Sequence, residues 1–491
     1  MTTSVLATDA YKFSMAQAGF PLRPETFYFS FRRGGLQAVV VDLVAHVQAI
    51  VSSLRCSDSE LSYAAEHGYG LTEAMREALA DPEALQLTAV PKGTWVQERE
   101  PILTVTGPSF LVSWLEPMLL WLNHPFQVAT HLTQCRLEGG APDSAVLTAT
   151  CEEHAEIIEG VIETLGIGGL SVTREDERYA EGVASSVAKL VAAAGGEPSR
   201  IFEVGMRSAV CMNQHRIALA ACRGQGVLKT SNVALAQELS MTPVGTMGHE
   251  HVQRWGEDLA AFLAMRDMRT GAPSYLLDTF DTMGSGIKAA LTAMRGRPHA
   301  CSIRYDSGNK FIQYLHACEL FHEAGLQPAH VLEDALDVEA TLHFEKLRAF
   351  TSWPADRQLY GYGGFIVAGP MTNPLTRDRV SAVYKLSETA GHPRMKFGNE
   401  SGLGKQSVPG RPVIWRRLRG AGPLGIIGQA DEPVPDNYVL LSGNEEAMDQ
   451  LRLCNVADLD RALRLDPSDR VVVHSDETKA LVAGLSRGEG G

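Results

Sequence analysis

Several familiar devices are missing from this 491-residue chain, and each absence removes a class of function. None of its eight cysteines forms a CxxC pair or shows zinc-ligand spacing, so buried free thiols are expected rather than a disulfide framework or a metal knuckle. Positive charge is in short supply. Lys and Arg number 44 against 58 Asp and Glu, a net charge of -14, which excludes a nucleic-acid binder that must neutralise phosphates. A small anionic substrate is not excluded, because a local basic pocket can sit in an acidic protein. No uninterrupted apolar run approaches the ~20 residues that span a bilayer, so no membrane partner is expected. The opening MTTSVLATDAYKF has no basic segment followed by an apolar core, so no signal peptide is read and a reducing cytoplasm is expected. Neither GxGxxG nor GxxxxGK[ST] fits any turn.

What is present is enough apolar sequence for two or three domains. Residues 1–140 read as a mixed α+β domain. In it Phe27, Phe29 and Phe31 alternate with Tyr28, Ser30 and Arg32 as in a strand, and Pro91–Gly107 reads as a hairpin of Trp95-Val96 with Ile102–Val105. A long apolar helix follows from Phe110, made irregular by Pro117 and Pro125. From Arg200 the text becomes rhythmic. Apolar runs stop near Val204, Lys229, Val244, Leu277, Arg304, Leu332 and Tyr360, and helical stretches at 208–222, 249–268, 309–324 and 335–350 connect them. About seven βα units predict an irregular TIM-like α/β barrel over 141–375. Residues 376–491 carry short strands (Ser381–Leu386, Val413–Arg416) expected to pack back on the N-terminal domain, then a helical piece at 445–463 and a Gly-rich end expected to fray.

The residues just past those strands share a theme: Arg207, Thr230, Ser231, Thr246, His249, Asp278, Arg304, Asp306, Ser307, Gly363 and Gly364. Arginine forks grip phosphate, carboxylates accept from ribose hydroxyls or hold Mg2+, and glycines let backbone N–H groups approach closely. Taken singly, Asp306-Ser307-Gly308 is a common turn and Gly363-Gly364 a tight one. Together, at the ends of parallel strands, they suit a phosphorylated sugar. His249 follows a Gly-Thr turn where a helix should begin, a place that favours an anion.

Five motifs in order, EVGMR (203–207), TSNV (230–233), GTMGHE (245–250), LLDTFD (276–281) and IRYDSG (303–308), resemble the nicotinate phosphoribosyltransferase family and its nicotinamide-using relatives. The resemblance implies a type II phosphoribosyltransferase, whose barrel is joined to an α+β domain completed by C-terminal strands. It implies transfer of a ribosyl phosphate from phosphoribosyl diphosphate to nicotinate, with Mg2+ on the substrate phosphates and ATP as co-substrate, in NAD biosynthesis. By the same resemblance His249 is phosphorylated by ATP, Asp278 orients it, and Asp306 lies near the ribose. Arg207 and Arg304 contact base or phosphates, Thr246 the base, and Gly363-Gly364 the 5-phosphate. Thr230, Ser231 and Arg377 complete the substrate-binding set. Tyr11 would stack on the pyridine ring from the partner subunit of a homodimer with shared sites. Val204, where relatives have an aromatic residue, and Ser208, where nicotinate enzymes often have a second arginine, depart from the pattern. Ser231, in place of an aspartate of the nicotinamide branch, favours the acid. The alternatives are nicotinamide or another heteroaromatic acid as acceptor, or a binding module without catalysis.

Overall fold

A computed structural model describes residues 3–81, 84–295, 301–368, 375–396, 406–419, 422–444, 446 and 470–486. Helix α1 (Ala10–Gln17) is buried along its whole length. It leads into β1 (Pro24–Phe31), whose alternation sends Phe27, Phe29 and Phe31 into the N-terminal core and Tyr28 and Ser30 to the opposite face. β1 pairs antiparallel with β3 (Leu103–Pro108), which pairs with β2 (Gln86–Ala89).

The expected hairpin is not formed. Trp95-Val96 pairs instead with Gln37-Ala38. The turn between the two runs is tied elsewhere: Arg99 adopts a φ of 71° and donates its N–H to Phe31 O, and Glu100 accepts from Gln97 N. The expected long helix is three helices, α2 (Ser109–Trp114), α3 (Glu116–Trp121) and α4 (Asn123–Glu138). Pro117 and Pro125 each fall in the first turn of a new helix, where a missing N–H costs nothing. Helix α5 (Glu152–Thr164) buries Ala155, Ile158 and Val161 in the same N-terminal core. Helix α6 (Asp176–Ala193) packs on the next core and ends before Gly195, which takes a φ of 82°.

That second core surrounds seven parallel strands: β4 (Ile201–Glu203), β5 (Lys229–Thr230), β6 (Thr242–Pro243), β7 (Ser274–Leu276), β8 (Ser302–Tyr305), β9 (Ala329–Leu332) and β10 (Gln358–Tyr362). Their order is β6-β5-β4-β10-β9-β8-β7, so the sheet curls as a half-barrel and leaves β6 and β7 unpaired with each other. At that opening α1 abuts the ends of β5 and β6: Ala10 N–H donates to Ser231 O (2.7 Å), and Asp9 bridges Asn232. Among the helices between strands are α7 (Met212–Gly224), α8 (His249–Trp255), α9 (Asp258–Met268), α10 (Lys310–Glu323) and α11 (Val338–Thr351). The helix expected over 249–268 is broken at Gly256, whose φ of 79° ends α8 before Asp258 opens α9.

Two short helices follow, α12 (Gly364–Val367) and α13 (Arg377–Val380). Then β11 (Ala382–Thr389) returns to pair antiparallel with β1, which puts C-terminal residues in the N-terminal sheet as expected. A second sheet of β12 (Pro412–Arg417), β13 (Gly425–Gln429), β14 (Tyr438–Leu440) and β15 (Val472–His474) has the order β14-β12-β13-β15, and α14 (Asp476–Ser486) packs on it. The buried Arg416–Glu100 pair (2.7 Å) ties this sheet to the N-terminal domain. The helix expected at 445–463, but for Glu446, and the Gly-rich end lie outside the described residues. Among the described residues every cysteine is a free thiol, and no helix is long and apolar enough to cross a membrane.

Candidate active site

The C-terminal ends of the half-barrel strands and the returning segment before residue 397 converge on His249, the first residue of α8. Lys396 Nζ donates to its Nε2 (2.6 Å), so that nitrogen carries a lone pair, and Nδ1 faces Thr279 Oγ1 (3.1 Å). Burial, then the Lys396 charge, holds the imidazole below its ordinary value, against the opposing pull of Asp278 and Asp306. A buried neutral imidazole with an acceptor Nε2 is the form a nucleophile requires. Asp278 Oδ2 and Asp306 Oδ2 lie 3.8 and 3.7 Å from the same nitrogen. The hydroxyl that meets Nδ1 belongs to Thr279, so the orienting contact expected of Asp278 on that side is made by its neighbour.

β8 supplies the cationic half of the centre. Arg304 donates both arms of its fork to Asp306 (3.0 and 2.8 Å), another N–H to Thr246 Oγ1 (2.6 Å), and pairs with Glu333 Oε2 (3.1 Å). Asp306 follows Arg304 by two residues, so the strand's period places both on one face. Burial raises the Asp306 carboxyl, but Arg304 and His249 together outweigh it and hold the group well below the usual range. Ser307 Oγ donates to Asp278 Oδ2, while Asp278 Oδ1 is buried without a hydrogen-bond partner. Such an orphaned oxygen is costly unless a ligand satisfies it.

A second wall comes from α1. The guanidinium of Arg207 stands over the Tyr11 ring (5.4 Å) and its Nε is 3.2 Å from Asp9 Oδ2, an ion pair by distance without hydrogen-bond alignment. Arg207 also feels the charge of Asp306, which joins the two walls. Ser231 Oγ donates to Asp9 Oδ1 (2.5 Å). Tyr11 Oη donates to Glu116 (2.8 Å), Lys12 pairs with Glu116 (2.6 Å) and Glu250 (3.1 Å), and Lys385 approaches Glu116 (4.0 Å). Burial pushes Lys385 down to about 7, opposed by Glu116. Gly245 permits this docking: a Cβ there would meet Tyr11 N at 2.4 Å and Ala10 C at 2.8 Å. Tyr11 therefore stands beside Arg207 of its own chain.

The remaining expected residues divide. Thr230 is fully buried and donates to Glu203 (2.8 Å), which also holds His215 (3.0 Å), so Thr230 braces the strand ends rather than facing a cavity. Gly363 and Gly205 pack together at the ends of β10 and β4, where a Cβ on Gly205 would lie 3.0 Å from Gly363 O. A Cβ on Gly364 would strike Asp378 Oδ2 at 2.5 Å, and Arg377 donates to Asp378 Oδ1 (3.3 Å). Arg377 and Ser208 line one cavity of about 280 Å³ beside this turn. Sequence reasoning missed Lys396, Thr279, Glu333, Lys385 and the Lys12–Glu116–Glu250 network. Lys12, Glu250 and Thr279 lay inside quoted stretches, and nothing in their local patterns marks them. Among the described residues no group of three or more His, Cys, Asp or Glu could hold a metal by itself.

Comparison with known proteins agrees with this geometry. The nicotinate phosphoribosyltransferase N-terminal domain profile matches residues 6–123, and the family profile matches residues 200–407. The human nicotinate phosphoribosyltransferase is 27% identical over 456 residues, covering 88% of this chain and 80% of its own. One from Mycobacterium tuberculosis is 29% identical over 256 residues, covering 49% of this chain and 51% of its own. In fold, the chain resembles the crystal structure of a Vibrio cholerae nicotinate phosphoribosyltransferase, with a TM-score of 0.58 at 19% identity over 82% of this chain and 89% of that one. A Porphyromonas gingivalis structure of the same title gives 0.56 at 19% identity, over 83% and 96%.

Proposed function

The chain belongs to the nicotinate phosphoribosyltransferase family, and on that premise we propose that it converts nicotinate and phosphoribosyl diphosphate to nicotinate mononucleotide and diphosphate. The observation that carries the reading is the convergence of Arg207, Arg304, Asp306 and a neutral His249 at the open ends of parallel strands. Positioning and fixed charge do the work. Arg304 and Lys396 face the charge that develops on departing diphosphate, and Asp306, held ionised, accepts from ribose hydroxyls. Arg207 pairs with the carboxylate of the base, and the Gly363-Gly364 turn with Arg377 takes the sugar phosphate. The chemistry belongs in NAD salvage.

ATP is the proposed co-substrate, with Nε2 of His249 as the phosphoryl acceptor. A Mg2+ ion would be held mainly by substrate phosphate oxygens, with the orphaned Asp278 Oδ1 and Asp306 as its protein ligands, and would neutralise phosphate charge there. A homodimer with shared active sites is the proposed assembly, and the free thiols favour a reducing cytoplasm. One observation favours nicotinamide as acceptor: the Asp9 carboxylate beside Ser231 could accept from an amide. Initial rates with phosphoribosyl diphosphate and a panel of bases decide between them. Turnover of nicotinate over nicotinamide supports the reading, and no turnover of nicotinate overturns it.

A further inference from the structure

We propose that Cys151 and Cys211 form a redox modification site, at which a hydroperoxide converts two thiols to a disulfide that clamps α5 to α7. Their sulfurs lie 3.6 Å apart, in contact, and both residues are buried. A disulfide needs ~2.05 Å, so an approach of about 1.5 Å closes it. Each cysteine caps the start of a 13-residue helix, and the two share nearly one backbone conformation: φ -167° and ψ 173° at Cys151, φ -164° and ψ 173° at Cys211. Such positions favour a side-chain oxygen that accepts from the first turn, and neither thiol makes that bond. The two thiols meet each other instead.

The surroundings hold them face to face. The N–H of Thr150 donates to His154 Nδ1 (3.1 Å) and that of Val210 to Gln214 Oε1 (2.9 Å), so the chain is fixed on either side of each cysteine. Two further bonds cross between the helix ends, Gln214 Nε2 to Thr150 Oγ1 (3.1 Å) and Asn213 N to Glu153 Oε2 (3.0 Å). Thr150, His154, Val210 and Gln214 also line the cavity of about 280 Å³ beside the Gly363-Gly364 turn, which brings a small oxidant next to the buried pair. A hydrogen bond from Cys211 lowers the Cys151 thiol against the opposing effect of burial, and the same bond, then burial, raises Cys211. Cys151 is therefore the attacking thiolate. It takes the terminal oxygen of the hydroperoxide, the O–O bond breaks, and an alcohol leaves (water, for hydrogen peroxide) as Cys151 becomes a sulfenic acid. The Cys211 sulfur then attacks the Cys151 sulfur, the S–O bond breaks, and hydroxide departs as water with the Cys211 proton. Two electrons pass from the thiols to the peroxide. Since α5 packs in the N-terminal core and α7 in the second, the bond joins the two cores, four residues beyond Arg207. A transient disulfide of this kind suits a reducing compartment.

The test treats the full chain with hydrogen peroxide, blocks the remaining thiols with an alkylating agent, and maps the peptides by mass. Wild type should give a linked Cys151–Cys211 peptide, two hydrogens lighter than the separate thiol peptides, at a lower peroxide dose than oxidises the exposed Cys56. Dithiothreitol should remove the link by exchange. The linked protein should melt at a higher temperature than the reduced one, and neither single variant should gain that rise. Cys211→Ser should stop at a Cys151 sulfenic acid that dimedone traps, and Cys151→Ser should leave Cys211 reduced. Both cysteines alkylated after peroxide, Cys56 oxidised first, a sulfinic acid at Cys151 without the link, or a link that leaves melting unchanged overturns the proposal.

Discussion

Lys396 Nζ lies 2.6 Å from Nε2 of His249, joining the segment that follows β11 to the first residue of α8. The contact keeps the imidazole neutral and its lone pair directed, and it leaves a cation in place to meet a phosphoryl group. The catalytic half-barrel is thus completed from outside itself.

Replacing that cation should move the acid limb of the pH–rate profile. His249 is held below its ordinary 6.5 by burial and by Lys396, so the neutral form persists below pH 6.5 and is lost as pH falls through the folded value. Lys396→Met removes a cation, raises that value, and shifts the limb to higher pH. ATP-coupled turnover should also fall by roughly 100- to 1000-fold, the usual loss for a charge-stabilising donor. A limb that stays in place would separate Lys396 from His249.

Gly245→Ala should loosen α1. Its Cβ would meet backbone atoms of Tyr11 and Ala10 at 2.4 and 2.8 Å, and backbone cannot swing aside as a side chain can. Thermal melting should report a loss on the order of 1–3 kcal/mol, the range for overpacking, with a raised KM for the base. Wild-type values for both would mean that α1 does not dock as described.

Stability should fall on acidification below about pH 6.5. Burial lowers His154 and His251 to about 4 and His330 to about 3, and takes His124 well below its ordinary value. The unfolded chain therefore binds more protons between pH 6.5 and those values, and each such group contributes stability present above 6.5 and lost as pH falls. The contribution is on the order of 3 kcal/mol for each of His154 and His251. Urea unfolding at pH 7.5, 6 and 5 measures it, and a flat profile contradicts it.

If the homodimer shares its active sites as proposed, mixing inactive Tyr11→Ala with inactive Asp306→Ala should restore about a quarter of the activity of wild-type sites, by random subunit pairing. No recovery would contradict sharing and leave Tyr11 serving Arg207 of its own chain, where the two stand 5.4 Å apart. The assay requires demonstrated subunit exchange.

The barrel was legible because its strands are buried runs that stop at polar turns, and Arg207, Thr246, His249, Asp278, Arg304 and Asp306 stand at those stops. The partners of these residues were not. Lys385 and Lys396 arrive through the pairing of β11 with β1, which joins Ala382 to Phe31 across the whole half-barrel, and no local period announces such a contact. Trp95-Val96 showed the same limit: alternation identified a strand without identifying its partner. Thr230 shows a related limit: a buried hydroxyl bracing Glu203 has the same sequence signature as one facing a substrate.

The central claim is that His249 carries a phosphoryl group from ATP during nicotinate transfer. Acid-labile, base-stable phosphate on the protein after incubation with labelled ATP tests it most directly. Wild type should retain label that nicotinate and phosphoribosyl diphosphate discharge. A folded His249→Ala protein should take up none and should lose ATP stimulation while keeping slow transfer. Equal labelling of the variant, or unchanged ATP-coupled turnover in it, would contradict the account.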